Sequence, residues 1–137
     1  MTGFIAVFLG GSIGASLRYL VSLIAQHYSW YYQGTFIVNI LGCLFLGFVS
    51  YIAIKHEKTF HPDFKLFLTT GIAGGFTTFS TFSYEVFTFI QHNQLMAGII
   101  YMLLSCTIGF AATLLGIYLA KQALSFVLKE PQFEEKI

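Results

Sequence analysis

The chain of 137 residues is 56% hydrophobic and only 9% charged, with a formal net charge of +1. A soluble domain carries about 25% charged residues, so the composition excludes an ordinary water-soluble fold and points to a membrane protein. Near-neutral charge without a basic cluster also excludes a nucleic-acid surface, and no nucleic acid is expected as a partner.

Four apolar runs follow in chain order, over about residues 3–25, 34–54, 66–90 and 96–120. Each reaches the ~20 residues that a helix needs to cross ~30 Å of hydrocarbon. The first contains Arg18, the third contains Glu85, and the other two are uncharged. The first run lacks a basic leader and is too long for the core of a signal peptide, so it is expected to be a span. Only short loops and a tail over 121–137 remain. The expected fold is therefore all-α, a single membrane domain of four transmembrane helices with a cytoplasmic tail that starts as a continuation of the last helix. Cys43 and Cys106 lie inside apolar runs and read as buried thiols. His27, His56, His61 and His92 lie near run ends, without metal-site spacing, and read as interfacial residues.

Four crossings put both termini on one side. Lys55, Lys58, Lys65, Lys121, Lys129 and Lys136 gather there, whereas the opposite loops, 26–33 and 91–95, hold no Lys or Arg. The positive-inside rule places the lysine-rich side in the cytoplasm. Tyr28, Trp30, Tyr31 and Tyr32 in the opposite loop have the composition of an aromatic belt.

The third run holds the most informative stretch. Gly74-Gly75 is followed by Phe76, Thr77, Thr78, Phe79, Ser80, Thr81, Phe82, Ser83, Tyr84 and Glu85. At ~1.5 Å per residue, positions 74–77 lie roughly 12–17 Å inside the run, at the bilayer midplane. Unmet backbone groups in hydrocarbon cost several kcal/mol, so irregular backbone at that depth survives only inside protein or beside a water-filled cavity. The pattern predicts a helix broken at the glycine pair, whose free carbonyls suit a small hard cation such as Na⁺. A kink satisfied by neighbouring helices fits the same residues.

From Thr78 onward, a resumed helix puts Phe79 and Phe82 on one face, with Ser80 and Ser83 alongside. Ring edges carry positive quadrupole and can face an anion. Hydroxyls and the Asn39 amide can donate hydrogen bonds to it. Together they form a track for a partly dehydrated anion. Aromatic core packing, with Asn39 as interhelical glue, is the plainer account. Tyr101 and Thr113 in the fourth run read as pore groups or packing residues. Arg18 and Glu85 fall at similar depth toward the outer side, where intramembrane charges turn inward. Arg18 either attracts anions to the outer mouth or pairs with Glu85. Glu85 is read as an anchor, because a bare carboxylate beside an anion path repels the traffic.

Four helices fill their own centre with side chains, so a polar path calls for a dimer at least. Small residues recur at four-residue spacing: Gly10 and Gly14 leading to Arg18, Gly11 and Ala15, Cys43 and Gly47, and Ser105, Gly109 and Thr113. Such rows allow close helix approach, within a subunit or between subunits. In an antiparallel dimer, equivalent atoms share a depth only at the midplane, which is where 74–77 falls. No catalytic set is present, so no enzyme is expected. Gly10-Gly11-Ser12-Ile13-Gly14 lies inside a span rather than after a strand, which argues against nucleotide binding.

Three stretches, in this order, resemble the small bacterial fluoride channels of the Fluc (CrcB) type. They are Gly10-Gly11-Ser12-Ile13-Gly14-Ala15-Ser16-Leu17-Arg18-Tyr19, Gly34-Thr35-Phe36-Ile37-Val38-Asn39-Ile40-Leu41-Gly42, and Gly74 to Ser83 with Glu85. The resemblance implies an antiparallel dual-topology dimer in the bacterial plasma membrane, with two fluoride pores and a central structural Na⁺ that is not transported. It implies that the backbone carbonyls of Gly74 and Thr77 hold the Na⁺. It further implies that Asn39, Phe79, Phe82, Ser80, Ser83, Tyr101 and Thr113 line the fluoride path, and that Arg18 and Glu85 are its vestibule or structural charges. The implied role is passive export of fluoride. The lysine bias favours one orientation, so the partner is a second copy or an opposite-topology paralogue. The alternative is a small multidrug-type proton-coupled transporter subunit. That mechanism needs an acid in the first span, where this chain has Arg18.

Overall fold

A computed structural model of the chain describes residues 2–28, 31–56 and 60–128. The expectations placed on Trp30, on the Tyr31 side chain, and on Lys58, Lys129 and Lys136 lie outside the described residues. Among the described residues all regular structure is helical: α1 (Thr2–His27), α2 (Tyr31–Lys55), α3 (Pro62–Leu66), a π-helical segment (Phe67–Ala73), α4 (Gly74–Phe76), α5 (Phe79–Gln91) and α6 (Leu95–Leu128). Three stretches are long and apolar enough to cross a membrane: Thr2–His27, Tyr32–Lys55 and Leu95–Phe126. The helix begun in the fourth run continues to Leu128, as the sequence suggests for the start of the tail.

Local chemistry explains the shorter pieces. Pro62 opens α3, where its fixed φ suits the first helical position, and the His61 ring accepts a bond from the Asp63 amide at 3.2 Å. Asn93, at φ 58°, sits in the turn between α5 and α6. Asparagine tolerates this left-handed geometry better than most side chains, and the following Gln94 amide bonds the Phe89 carbonyl at 2.8 Å.

The elements run alternately in opposite directions. Gly3 at the start of α1 lies beside Asp63 and Leu66 of α3, and Gly34 of α2 lies beside Ala25 near the end of α1. Tyr32 at the start of α2 stacks on Phe89 near the end of α5, with ring centroids 4.3 Å apart, and meets Tyr101 of α6. The Pro62–Gln91 stretch therefore starts at one end of the bundle and finishes at the other.

Two seams hold the bundle, and both are built on glycine. Along the α2–α6 seam, a side chain at Gly47 would collide with the Thr113 carbonyl, and one at Gly116 with the Leu44 carbonyl. Along the other seam, Gly10 and Gly14 of α1 press on the π-helical segment and α4. A Cβ on Gly71 would come within 2.8 Å of the Gly10 Cα. The small-residue rows thus serve packing within the subunit, where backbone meets backbone. The core between the elements is made mostly of small or branched residues, including Val38, Val49, Ala53, Ala73, Ala112 and Ala120, with Phe82 as a buried aromatic. Large apolar side chains point outward instead, among them Phe4, Phe8 and Phe110, as expected where the surroundings are lipid rather than water.

Gly116→Val is expected to lower stability by about 1–3 kcal/mol, the usual cost of overpacking. Thermal unfolding of the purified protein in detergent checks this, with Gly11→Ala, whose Cβ meets nothing within 4 Å, as the neutral control.

Candidate functional site

The site is organised by the point at which backbone leaves the helix. The expected position was the glycine pair, and the structure moves it. Gly74, Gly75 and Phe76 are helical, while Thr77 (φ −78°, ψ 160°) and Thr78 (φ −148°, ψ 122°) are extended. The reason is steric. Gly75 lies against α1, where a Cβ would sit 3.0 Å from the Gly11 Cα, so it is there for close approach rather than to loosen the helix.

What ends the helix is a side chain from α2. The Asn39 amide grips the Thr78 backbone at both ends: the Thr78 N–H donates to Asn39 Oδ1 at 2.8 Å, and Asn39 Nδ2 donates to the Thr78 carbonyl at 3.0 Å. That N–H would otherwise continue the helix by bonding the Gly74 carbonyl, four residues back. Thr77 still closes on the preceding turn, since both its N–H (3.0 Å) and its hydroxyl (2.9 Å) reach the Ala73 carbonyl. The helix then restarts with Thr78 as its N-cap. Thr78 Oγ1 accepts from the Thr81 amide at 3.1 Å and contacts the hydroxyls of Thr81 (3.0 Å) and Ser80 (3.2 Å). An N-cap hydroxyl of this kind satisfies one of the orphan donors of a helix start.

On α5, Phe79 and Phe82 are neighbours, with ring centroids 5.9 Å apart at 43°. They differ in environment: Phe79 is 80% exposed and Phe82 only 8%. Phe82 packs against the Tyr101 ring at 5.4 Å, and Phe89 lies on the same tyrosine at 5.8 Å. Ser80 and Ser83 are exposed, and the Ser83 hydroxyl turns back to the Phe79 carbonyl at 2.9 Å.

Glu85 is buried between α5, α2 and α6. Its Oε1 accepts from the Thr35 hydroxyl at 2.6 Å and its Oε2 from the Tyr101 hydroxyl at 2.7 Å. A buried carboxylate needs such donors. Both carboxylate oxygens are thus engaged by hydroxyls of neighbouring helices. The alternative pairing with Arg18 is not formed, and among the described residues the single ion pair joins His61 and Asp63. The reason is placement, because Arg18 lines a cleft between α1 and the start of α5 with Ala15, Tyr19, Ser22, Thr78 and Thr81, whereas Glu85 faces α2 and α6.

The sequence-predicted set therefore divides. Asn39, Phe79, Phe82, Ser80, Ser83, Tyr101 and Glu85 gather around α5. Gly74 and Thr77 precede them at the end of α4. Thr113 stands apart, twelve positions beyond Tyr101 along α6 and so roughly 18 Å away, with its hydroxyl bonded to the Gly109 carbonyl at 3.2 Å. Sequence reasoning passed over Thr35, Thr78 and Thr81. The signal for Thr35 was available: it lies four positions before Asn39 and so on the same helical face.

The chain matches the family described as CrcB-like protein, Camphor Resistance (CrcB), over residues 5–117. It is a member of that family, which is one of ion channels rather than enzymes. Its relatives include proteins named fluoride-specific ion channel FluC. One from Gloeothece citriformis is 42% identical over 124 residues, covering 89% of this chain and 99% of the relative. One from Helicobacter pylori is 40% identical over 117 residues, covering 82% and 88%. A third, from Flavobacterium psychrophilum, is 40% identical over 117 residues, covering 83% and 93%.

Asn39→Leu is expected to leave the Thr78 N–H and carbonyl without partners, at about 1–3 kcal/mol for each buried group. The measurement is thermal unfolding in detergent, and a melting temperature equal to that of the unmodified protein refutes the clasp.

Proposed function

We propose that the chain is a subunit of a fluoride-selective channel that passively exports cytoplasmic fluoride across the bacterial plasma membrane. The observation that carries this reading is the extended pair Thr77–Thr78 beside Asn39, followed at once by Phe79, Ser80, Phe82 and Ser83, in a member of a family whose relatives are named for fluoride. The Pro62–Gln91 stretch is read as the remaining crossing, interrupted at the extended pair. Its two ends, beside Gly3 and beside Tyr32, support that.

In the proposed path, Phe79 and Phe82 offer ring edges to the dehydrated anion. The remaining donor hydrogen of the Asn39 amide replaces part of its water shell, as do the hydroxyls of Ser80 and Ser83 once they turn from their present partners, Thr78 Oγ1 and the Phe79 carbonyl. Tyr101 seats Phe82, and Arg18 supplies positive potential in its cleft, with Thr113 farther along α6. Glu85 stays out of the anion's way because its two oxygens are already engaged by Thr35 and Tyr101. No energy source is needed. A membrane potential negative inside drives a monovalent anion outward by ~2.3 kcal/mol per 100 mV.

The working unit is proposed to be an antiparallel dimer, formed with a second copy or with an opposite-topology paralogue. Gly74 supports an assembly at this depth: it is exposed, and a Cβ there would meet nothing within 4 Å in the subunit. The implied Na⁺ fits the groups present. Diversion of the Thr78 amide to Asn39 frees the Gly74 carbonyl from its usual helical donor, and Thr77 presents an extended backbone next to it. Neutral oxygens of this kind suit a hard cation, and among the described residues no group of three or more His, Cys, Asp or Glu competes for it. When bound, the ion contributes positive charge that ties two subunits together, and it is not transported.

Purified protein in liposomes, alone or with an opposite-topology partner, is expected to release fluoride much faster than chloride through an anion-selective electrode assay. Leak-level fluoride release in both preparations rejects the channel reading. Exhaustive removal of Na⁺ is expected to abolish fluoride release, and restoring Na⁺ to recover it. Full activity in Na⁺-free lipid removes the structural cation from the proposal.

A further inference from the structure

Glu85, Thr35 and Asn39 together join α2 to α5, and of the three only Asn39 has a part in the path described above. Thr35 and Asn39 lie one turn apart on α2, so they face the same way. Asn39 holds Thr78, the N-cap of α5, and Thr35 holds Glu85, two turns further along α5. α2 therefore grips α5 at two points seven positions apart. A single grip leaves a helix free to swivel about the held point, whereas two fix its rotation. The second grip is also coupled to the rings: Glu85 passes it to Tyr101 at 2.7 Å, and Tyr101 lies on Phe82. The Thr35–Glu85 bond is short, at 2.6 Å, and both residues are buried, each 8% exposed. Hydrogen bonds to a charged acceptor are the strong ones.

We propose that Thr35 is a positioning residue for the anion path. Through Glu85 it sets the rotation of α5, and with it the direction of Phe79, Ser80, Phe82 and Ser83. It also keeps the Glu85 carboxylate turned toward α2 and α6. This inference rests on the channel reading. Thr35 touches no anion itself; its hydroxyl is spent on Glu85.

The test uses full-length protein in liposomes. Fluoride release by the unmodified protein comes first, since its absence sinks the channel reading and not the role of Thr35. With release established, Thr35→Val keeps the volume and removes the donor, and is expected to slow fluoride release by about tenfold or more, the scale of a lost bond to a charged group. Thr35→Ser restores the hydroxyl and is expected to restore the rate. In a Glu85→Met background, which removes the acceptor, Thr35→Val is expected to have far less effect, because residues acting through one another are non-additive. Release by Thr35→Val at the unmodified rate overturns the proposal. So does an equal fold loss in both backgrounds, or failure of Thr35→Ser to recover the rate. Should Thr35→Val not fold, Thr35→Cys supplies the same contrast with a weak donor: a slowed rate supports the assignment, and an unchanged rate overturns it.

Discussion

The arrangement depends on one competition for a single N–H. The Thr78 amide can continue a helix by bonding the Gly74 carbonyl, or it can bond the Asn39 side chain. Asn39 wins because it answers both halves of the same peptide residue, accepting at 2.8 Å and donating at 3.0 Å. Leaving a helix inside a packed bundle would otherwise strand polar backbone without partners. The side-chain amide from α2 removes that cost for Thr78, and the Thr78 hydroxyl removes part of it for the restarting helix by capping Thr81. Carbonyl groups at the end of α4 and rings at the start of α5 are then brought next to one another by a linker of two extended residues.

The glycine seams make this possible. Asn39 can reach Thr78 only if α2 and the Pro62–Gln91 stretch lie close, and their positions are set from both sides. α1 presses against the π-helical segment and α4 through Gly10, Gly14 and Gly75, while α6 presses against α2 through Gly47 and Gly116. π-helical turns inside α-helices recur at functional sites, and here one lies immediately before the residues that hold the site together. With so little side-chain bulk between backbones, the apolar residues that a soluble protein would bury are left for the outside.

Much of this was legible in the residues. Composition and run length gave the helical membrane fold, because length and hydropathy are direct demands of the bilayer. The crowding of hydroxyls and rings after Gly75 coincides with the stretch where the structure has extended backbone and a new helix start. The register was missed by two to three residues, because glycine reads as a weak point in a helix when its partner surface is invisible. Its actual use, close contact with Gly11, belongs to tertiary structure. The Arg18–Glu85 pairing failed for a related reason. Similar depth says nothing about which way a helix face is turned, and Glu85 found hydroxyls on α2 and α6 instead. Thr35 went unnoticed because a lone threonine in an apolar run has many uses, and only the position of Glu85 selects one.

α6 has a consequence beyond the membrane. Its 34 residues make a rod of about 51 Å, against a hydrocarbon thickness of ~30 Å. About four turns must stand clear of the acyl chains or be absorbed by steep inclination. Any label or fused reporter joined to this shaft inherits its angle to the bilayer normal, much as a mast displays the heel of its hull.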